Sequence, residues 1–476
     1  MVDHGVAADT VRMNNYTILA IINVSECNSL TELHNQLANA KKEVFNDQER
    51  IIINYSTDKH LALITELLNA IDIPDFFVIF NQVISDNPTI DFVFEDSFCI
   101  YPWINLRINT LGQISPCCKF DTNGLSENIN NNSIKEVYLG KTMSDVREAL
   151  RNGQRPKQCN VCWQEESVGL ESMRQNGKYK FKEIYHKLNY ETDNFDNLQL
   201  FDLNLSNACN LSCRNCDPVS SSSIAKLELA AGRLSNQQFI ELKQAVNWSE
   251  TSEFWDQLLS TAQNLKYLDL YGGEPMMSKN HFNFLKKLIN LGVAKNIQID
   301  YNSNGTIYSE KFFDLWSHFK SVKISFSLDD IEDRFEYQRN GANWLQVLEN
   351  IKLYKAKVNN KFTIDIFTTI SIQNVYYLPE LIQWAQTINL PISFGILNVP
   401  TFLSIRSIPT TSTSNIIKKL QPFMHIDIIA TVITILEKDT STGENIEFVN
   451  YMKMLDLERQ QDFSKSHSDV AKAIGY

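Results

Sequence analysis

A chain of 476 residues with 43% apolar and 21% charged residues is that of a folded globular protein, long enough for two or three domains. Its net charge of -12 argues against a nucleic-acid partner, because phosphate binding needs clustered Lys and Arg. No apolar stretch approaches the roughly 20 residues of a membrane-spanning helix, and the N-terminus lacks the layout of a signal peptide, so the reading is of a cytoplasmic protein without a membrane. Thiols stay reduced there, and nine cysteines in short clusters read as metal ligands or redox groups rather than a disulfide framework.

Residues 1–94 read as a small α/β domain. Strand-like runs "YTILAIINV", "ERIIINY" and "DFFVIF" alternate with helical patterns such as "HLALITELLNAI". This unit has no Gly-rich phosphate loop, and partner docking or a structural role is its expected use. Its Cys27 reads as a buried thiol.

Residues 95–195 form a cysteine-rich module. "CIYPWINLRINTLGQISPCC", Cys99 to Cys118, reads as a β-hairpin with Gly112 at or near its turn, and "QCNVCWQEE" follows after a helical stretch. Cys99, Cys117, Cys159 and Cys162 supply four thiolates, enough to close a coordination shell around zinc or a 4Fe-4S cluster, and spacing alone does not choose between them. Cys118 neighbours Cys117 on a strand and so points to the opposite face. Adjacent Glu165 and Glu166 diverge on a helix, and the basic run from Arg174 to Lys187 reads as a solvated helix face.

Residues 196–425 carry six β-type runs, each followed by a helical pattern: "LQLFDLNLS", "LKYLDLYGG", "NIQIDYNSNG", "SVKISFSLD", "FTIDIFTTISI" and "PISFGILNV". This is the pattern of a parallel sheet whose right-handed crossovers curl it into a partial or full barrel, with functional residues at the carboxyl ends of the strands. The first strand leads into "NACNLSCRNCDP", where Cys209, Cys213 and Cys216 have the spacing C-x3-C-x2-C. Three thiolates leave a structural zinc shell incomplete, whereas a 4Fe-4S cluster held by three leaves one iron open to a ligand. The second strand leads into "YGGEP", Tyr271 to Pro275, whose glycines permit close backbone approach. Residues 426–476 read as a helical tail, polar towards its end. None of the eight histidines sits in a metal-like or triad-like pattern, and no Ser-His-Asp or phosphate-loop signature supports a hydrolase or kinase.

The cysteine loop and "YGGEP" together resemble the radical S-adenosylmethionine (radical SAM) superfamily. The resemblance implies an α/β fold: a partial (βα)6 radical SAM barrel preceded by a cysteine-rich twitch module and a small N-terminal α/β domain. It implies that Cys209, Cys213 and Cys216 hold a 4Fe-4S cluster and that S-adenosylmethionine chelates the fourth iron. Gly272, Gly273, Glu274 and Pro275 would then line the cofactor, with Asn304, Ser327 and Arg339 as further candidates for its ribose, methionyl or carboxylate groups. The residue before the third cysteine, commonly aromatic in the superfamily, is Asn215 here.

The spacing Cys99, Gly112, Cys117, Cys159, Cys162 resembles the twitch module, a shortened SPASM domain with an auxiliary 4Fe-4S cluster, although the module usually follows the barrel. On this resemblance Cys117 is the ligand and Cys118 a spare. The implied activity is reductive cleavage of S-adenosylmethionine to a 5'-deoxyadenosyl radical that removes hydrogen from a peptide or small molecule. Oxidation or cross-linking is the leading outcome, with an external donor such as flavodoxin or ferredoxin supplying electrons. The alternatives are a radical SAM epimerase or methylating enzyme and, from another class, a non-catalytic zinc-stabilised binding protein.

Overall fold

The computed structural model describes residues 97–476, apart from 168–170, 186, 439, 441, 442, 444 and 475, and the backbone of four strands ahead of them. It divides into two compact units, Met1–Glu95 and Asp96–Tyr476. In the first, β1 (Arg12–Met13), β2 (Tyr16–Asn23), β3 (Glu49–Tyr55) and β4 (Val78–Gln82) form one sheet in that order. β1 runs antiparallel to β2, while β2 pairs with β3 and β3 with β4 in parallel. The helical pattern at residues 60–71 and Cys27 lie outside the described residues.

The second unit is built on eight strands: β5 (Asn105–Ile108), β6 (Ile114–Ser115), β7 (Leu200–Asn204), β8 (Tyr267–Tyr271), β9 (Gln298–Ser303), β10 (Ser321–Ser327), β11 (Phe362–Ile370) and β12 (Ile392–Ile396). Their order is β12-β11-β10-β9-β8-β7-β5-β6. β7 to β12 are the six parallel strands expected from the sequence, joined by crossovers that contain helices such as Lys279–Asn290 and Trp344–Ala356. The end strands β12 and β6 do not pair with each other, so the barrel is partial.

The hairpin β5–β6 turns through Gly112 at φ +79°. Its first strand, β5, continues the barrel sheet as a parallel neighbour of β7. Leu106 and Ile108 enter the same core as Phe201 and Leu203, which is why the hairpin docks on this edge.

Along the strands an apolar residue alternates with a polar one. Phe201, Leu203, Leu268, Leu270, Ile299, Val322, Ile324, Phe326, Ile364 and Ile366 pack into the core with Phe284, Leu288, Val347 and Ile351 of the helices. The period of two puts Asp202, Asn204, Asp269, Tyr271, Asp300, Lys323 and Asp365 on the opposite, lumenal face. The C-terminal tail forms a second core: Ile429, Val432, Leu436, Phe448, Met452, Phe463 and Val470 pack against Ile370, Ile372 and Leu378. Its end is less polar than its sequence suggests, since His467 and Ile474 are buried. Among the described residues no helix is long and apolar enough to cross a membrane.

Phe201 is fully buried beneath the first barrel strand. Phe201→Ala should lower unfolding free energy by about 3–5 kcal/mol in urea titrations; a loss below about 1 kcal/mol would contradict the central place given to this layer.

Candidate metal centres and the barrel lumen

The three-cysteine loop leaves the carboxyl end of β7 and is tied down on every side. Leu205 N–H donates to Tyr271 O (2.7 Å), and Glu274 N–H donates to Ala208 O (2.8 Å). Farther along, Ser212 and Arg214 N–H donate to Asn340 O (2.9 Å) and Gln338 O (2.8 Å). Gly272 and Gly273 adopt φ +86° and +50°, and a Cβ on either would lie 2.4 Å from Leu205 O or Ala208 O respectively. The glycines therefore let the loop after β8 press its backbone against the cysteine loop.

Glu274 is buried, and its carboxylate accepts hydrogen bonds from Ser303 Oγ (3.1 Å), Asn304 N–H (2.8 Å) and Met276 N–H (3.3 Å). It thus joins the ends of β8 and β9, and burial pushes its carboxyl up to about 7. Pro275 is buried within the same short turn. Asn304 forms a turn with Thr306 N–H (2.9 Å) and reaches Asn210 Oδ1 (3.0 Å) and Cys209 Sγ (3.9 Å). Arg339 pairs with Asp329 (2.7 Å), stands 3.9 Å from Cys213 Sγ and leaves its buried Nε without a partner. Ser327 ends β10 on the lumenal side. Asn215 accepts a hydrogen bond from Gln373 Nε2, an amide that is itself fully buried.

Arg214, between Cys213 and Cys216, is the residue that sequence reasoning passed over. It is fully buried, pairs with Asp456 (2.6 Å), donates to Gln461 (2.8 Å) and stacks on the Tyr337 ring at 3.7 Å. Tyr451 OH donates to its carbonyl (3.1 Å). Asp456 in turn accepts from Tyr337 OH, Tyr476 OH and Phe463 N–H, each at 2.7 Å. The last residue of the chain is thus one hydrogen bond from the side chain that holds the cysteine loop.

In the second cysteine set, Cys99 and Cys117 flank the hairpin, while Cys159 and Cys162 lie on the turn Lys157–Cys159 and the helix Asn160–Ser167. Cys99 feels Cys159 and Cys162, and Cys117 feels Cys99 and Cys159. Cys118 is exposed, puts its thiol 3.6 Å from Met173 Sδ and feels the charges of Asp202, Arg107 and Asp269. Glu165 pairs with Lys119 (2.8 Å) and Glu166 with Arg174 (2.5 Å), so the adjacent acids brace the module rather than form a freely solvated face.

The eight cysteines of the described region are free. Burial raises the thiols of both sets, with Cys213 at about 11 and Cys159 at about 12. Cys216 feels Cys213 and Cys209, and Cys213 feels Cys209. Among the described residues no three His, Cys, Asp or Glu side chains converge as a single metal ion would require. The donor set nonetheless fits a thiolate-ligated cluster: soft sulfur donors, no disulfide, and buried cationic N–H groups without partners on Arg339 and Arg459 beside Cys213.

Residues 203–385 match the family model of the Radical SAM superfamily, and residues 99–163 match that of SPASM, an iron-sulfur cluster-binding domain. No curated protein matches the chain in sequence. Among solved structures it is similar to anSMEcpe with bound AdoMet and Cp18Cys peptide, at 16% identity and TM-score 0.33 over 49% of this chain and 61% of that one. It is also similar to Streptococcus suis SuiB bound to precursor peptide SuiA, at 11% identity and TM-score 0.32 over 69% and 70%. The chain thus spans less than two thirds of the length of anSMEcpe.

Asp456→Ala would leave the Arg214 guanidinium buried and unpaired. Thermal or urea unfolding should show a loss of roughly 3–5 kcal/mol; wild-type stability would show that the pair does not anchor the loop.

Proposed function

We infer that this chain, a member of the Radical SAM superfamily with a SPASM iron-sulfur domain ahead of the barrel, is a radical enzyme whose Cys209, Cys213 and Cys216 hold its 4Fe-4S cluster. The observation that carries the reading is the position of the three-thiol loop: at the carboxyl end of the first barrel strand, clamped by Arg214, and in backbone contact with Gly272 and Gly273. When bound, the cluster and S-adenosylmethionine supply a 5'-deoxyadenosyl radical that takes a hydrogen atom from substrate.

The protein's own residues do the positioning. Arg339 and Arg459 set positive charge beside Cys213, which offsets the negative charge of ligated thiolates. Asn304 fixes Asn210 and, with Glu274, keeps the ends of β8 and β9 against the loop. The apolar outer layer keeps water from the back of the strands, and the polar lumen receives the substrate, a peptide or small molecule.

Cys99, Cys117, Cys159 and Cys162 are assigned the auxiliary 4Fe-4S cluster, fully ligated and suited to electron transfer in an oxidation or cross-linking reaction. An external donor such as flavodoxin or ferredoxin supplies the first electron, in the cytoplasm. Four functional segments follow: 1–94 for partner docking, 95–195 for the auxiliary cluster, 196–425 for the radical chemistry and 426–476 for clamping the loop.

One observation favours a second outcome. Cys118 is not needed by the auxiliary set, and its thiol, 3.6 Å from Met173 Sδ, feels the lumenal charges of Asp202 and Asp269. An S–H group there can return a hydrogen atom to a substrate radical, as epimerisation requires, with the external donor reducing the thiyl left behind. Substrate turned over in deuterium oxide distinguishes the two. Deuterium at an inverted carbon, lost in Cys118→Ala, marks epimerisation; an oxidised product from both proteins rules it out.

Anaerobic reconstitution tests the cluster assignments. Wild type should carry about eight iron and eight sulfide per chain, and Cys213→Ser or Cys99→Ser about four. Little iron, with zinc in its place, would instead support a non-catalytic binding protein.

A further inference from the structure

One row of ionisable side chains crosses the lumen. By strand register, Arg107 on β5 pairs with Asp202 on β7, Asp202 with Asp269 on β8, Asp269 with Asp300 on β9, and Asp300 with Lys323 on β10. Asp365 on β11 joins the row through Lys323 at 2.7 Å. Residues at these positions in parallel strands share one face of the sheet, so none of them is directed into the apolar layer beneath the helices.

Most of the row is internally matched. Tyr271 OH donates to Asp202, and Arg107 Nε donates to Tyr271 OH (3.1 Å) while lying 3.6 Å from Asp202. Tyr267 OH donates to Asp300, and Lys180 Nζ donates to Tyr267 OH (2.7 Å). Gln298 Nε2 donates to the other Asp300 oxygen (3.3 Å).

Two features remain unmatched. Asp269 stands between the carboxylates of Asp202 and Asp300 and makes no hydrogen bond to a described residue through its side chain. Asp365, only 7% exposed, keeps Oδ1 buried without a partner. Four carboxylates, Asp202, Asp269, Asp300 and Asp365, therefore face three cations, Arg107, Lys180 and Lys323. With all four carboxylates ionised the row is one positive charge short. It is also reachable, because Asp269 is part-exposed and the Lys323 side chain is 43% exposed.

We propose that the lumenal row is a substrate subsite for a monocationic group, a primary ammonium or guanidinium, which seats against Asp269 and completes the charge balance. This rests on the radical-enzyme reading only in placing substrate in the lumen, and it narrows the substrate to a basic peptide side chain or an amine. Burial and the flanking Asp202 and Asp300 push the Asp269 carboxyl up to about 8, against the opposing pull of Lys180 and Lys323. A bound cation favours the ionised form, so its affinity should rise as pH rises through that value.

The test uses reconstituted full-length protein whose iron content and S-adenosylmethionine cleavage have been verified, so that failure of the radical reading registers separately. Binding of Nα-acetyl-lysine methylamide, Nα-acetyl-arginine methylamide and the uncharged Nα-acetyl-norleucine methylamide is measured by calorimetry in the presence of S-adenosylhomocysteine. Wild type should favour at least one cationic probe over norleucine by roughly tenfold or more, increasingly so above about pH 8. The isosteric Asp269→Asn should lose that preference and its pH dependence while keeping its iron. Equal binding of all three probes, or an unchanged preference in Asp269→Asn, would overturn the proposal.

Discussion

The buried guanidinium of Arg214 is the constraint on which the rest of the site depends. A loop that presents three thiols has no hydrogen-bonded ladder of its own, and without anchors its ordering entropy would leave the thiols free to diverge. Arg214 supplies the anchor from within the cysteine motif, through Asp456, Gln461, the Tyr337 ring and two main-chain contacts. A buried ion pair is a poor source of net stability, because both ions lose their hydration. What this pair provides is a defined geometry, and it makes the tail beyond residue 426 a working part of the site.

The barrel combines two environments through the period of the β-strand. One face of each strand enters a continuous apolar core, and the other carries charge into the lumen. Parallel strands covered on both faces usually read as unbroken apolar runs. Here an Asp or Lys interrupts the run on five strands, in "FDLNL", "YLDLY", "QIDYN", "VKISF" and "TIDIF". Carboxylates at such depth require partners, and the lumenal tyrosines and lysines provide most of them.

Much of this was legible in the sequence, and the omissions have physical causes. The six-strand alternation, the Gly112 turn and the two cysteine sets depend on local signals: periodicity, backbone freedom and ligand spacing. The expected opposition of Cys117 and Cys118 across a pleat does not hold, because both lie past β6, in a bend and a turn rather than on a strand. The pairing of β5 with β7 was not legible, because register between distant strands leaves no local trace. Nor was the role of Arg214, whose Asp456 partner lies 242 residues away. The interrupting aspartates were visible as breaks in apolar runs, but their alignment into one row emerged only from the strand register. Gly272 and Gly273 have a further use that the sequence did not show: their freedom lets two loops pack together.

The central claim is that the thiol loop on β7 serves radical chemistry, and its most direct test is the fate of S-adenosylmethionine. Reconstituted protein with dithionite as reductant should convert it to 5'-deoxyadenosine and methionine, and a protein in which Cys209, Cys213 and Cys216 are all replaced by Ala should not. Intact S-adenosylmethionine after incubation with fully iron-loaded wild type would contradict the account.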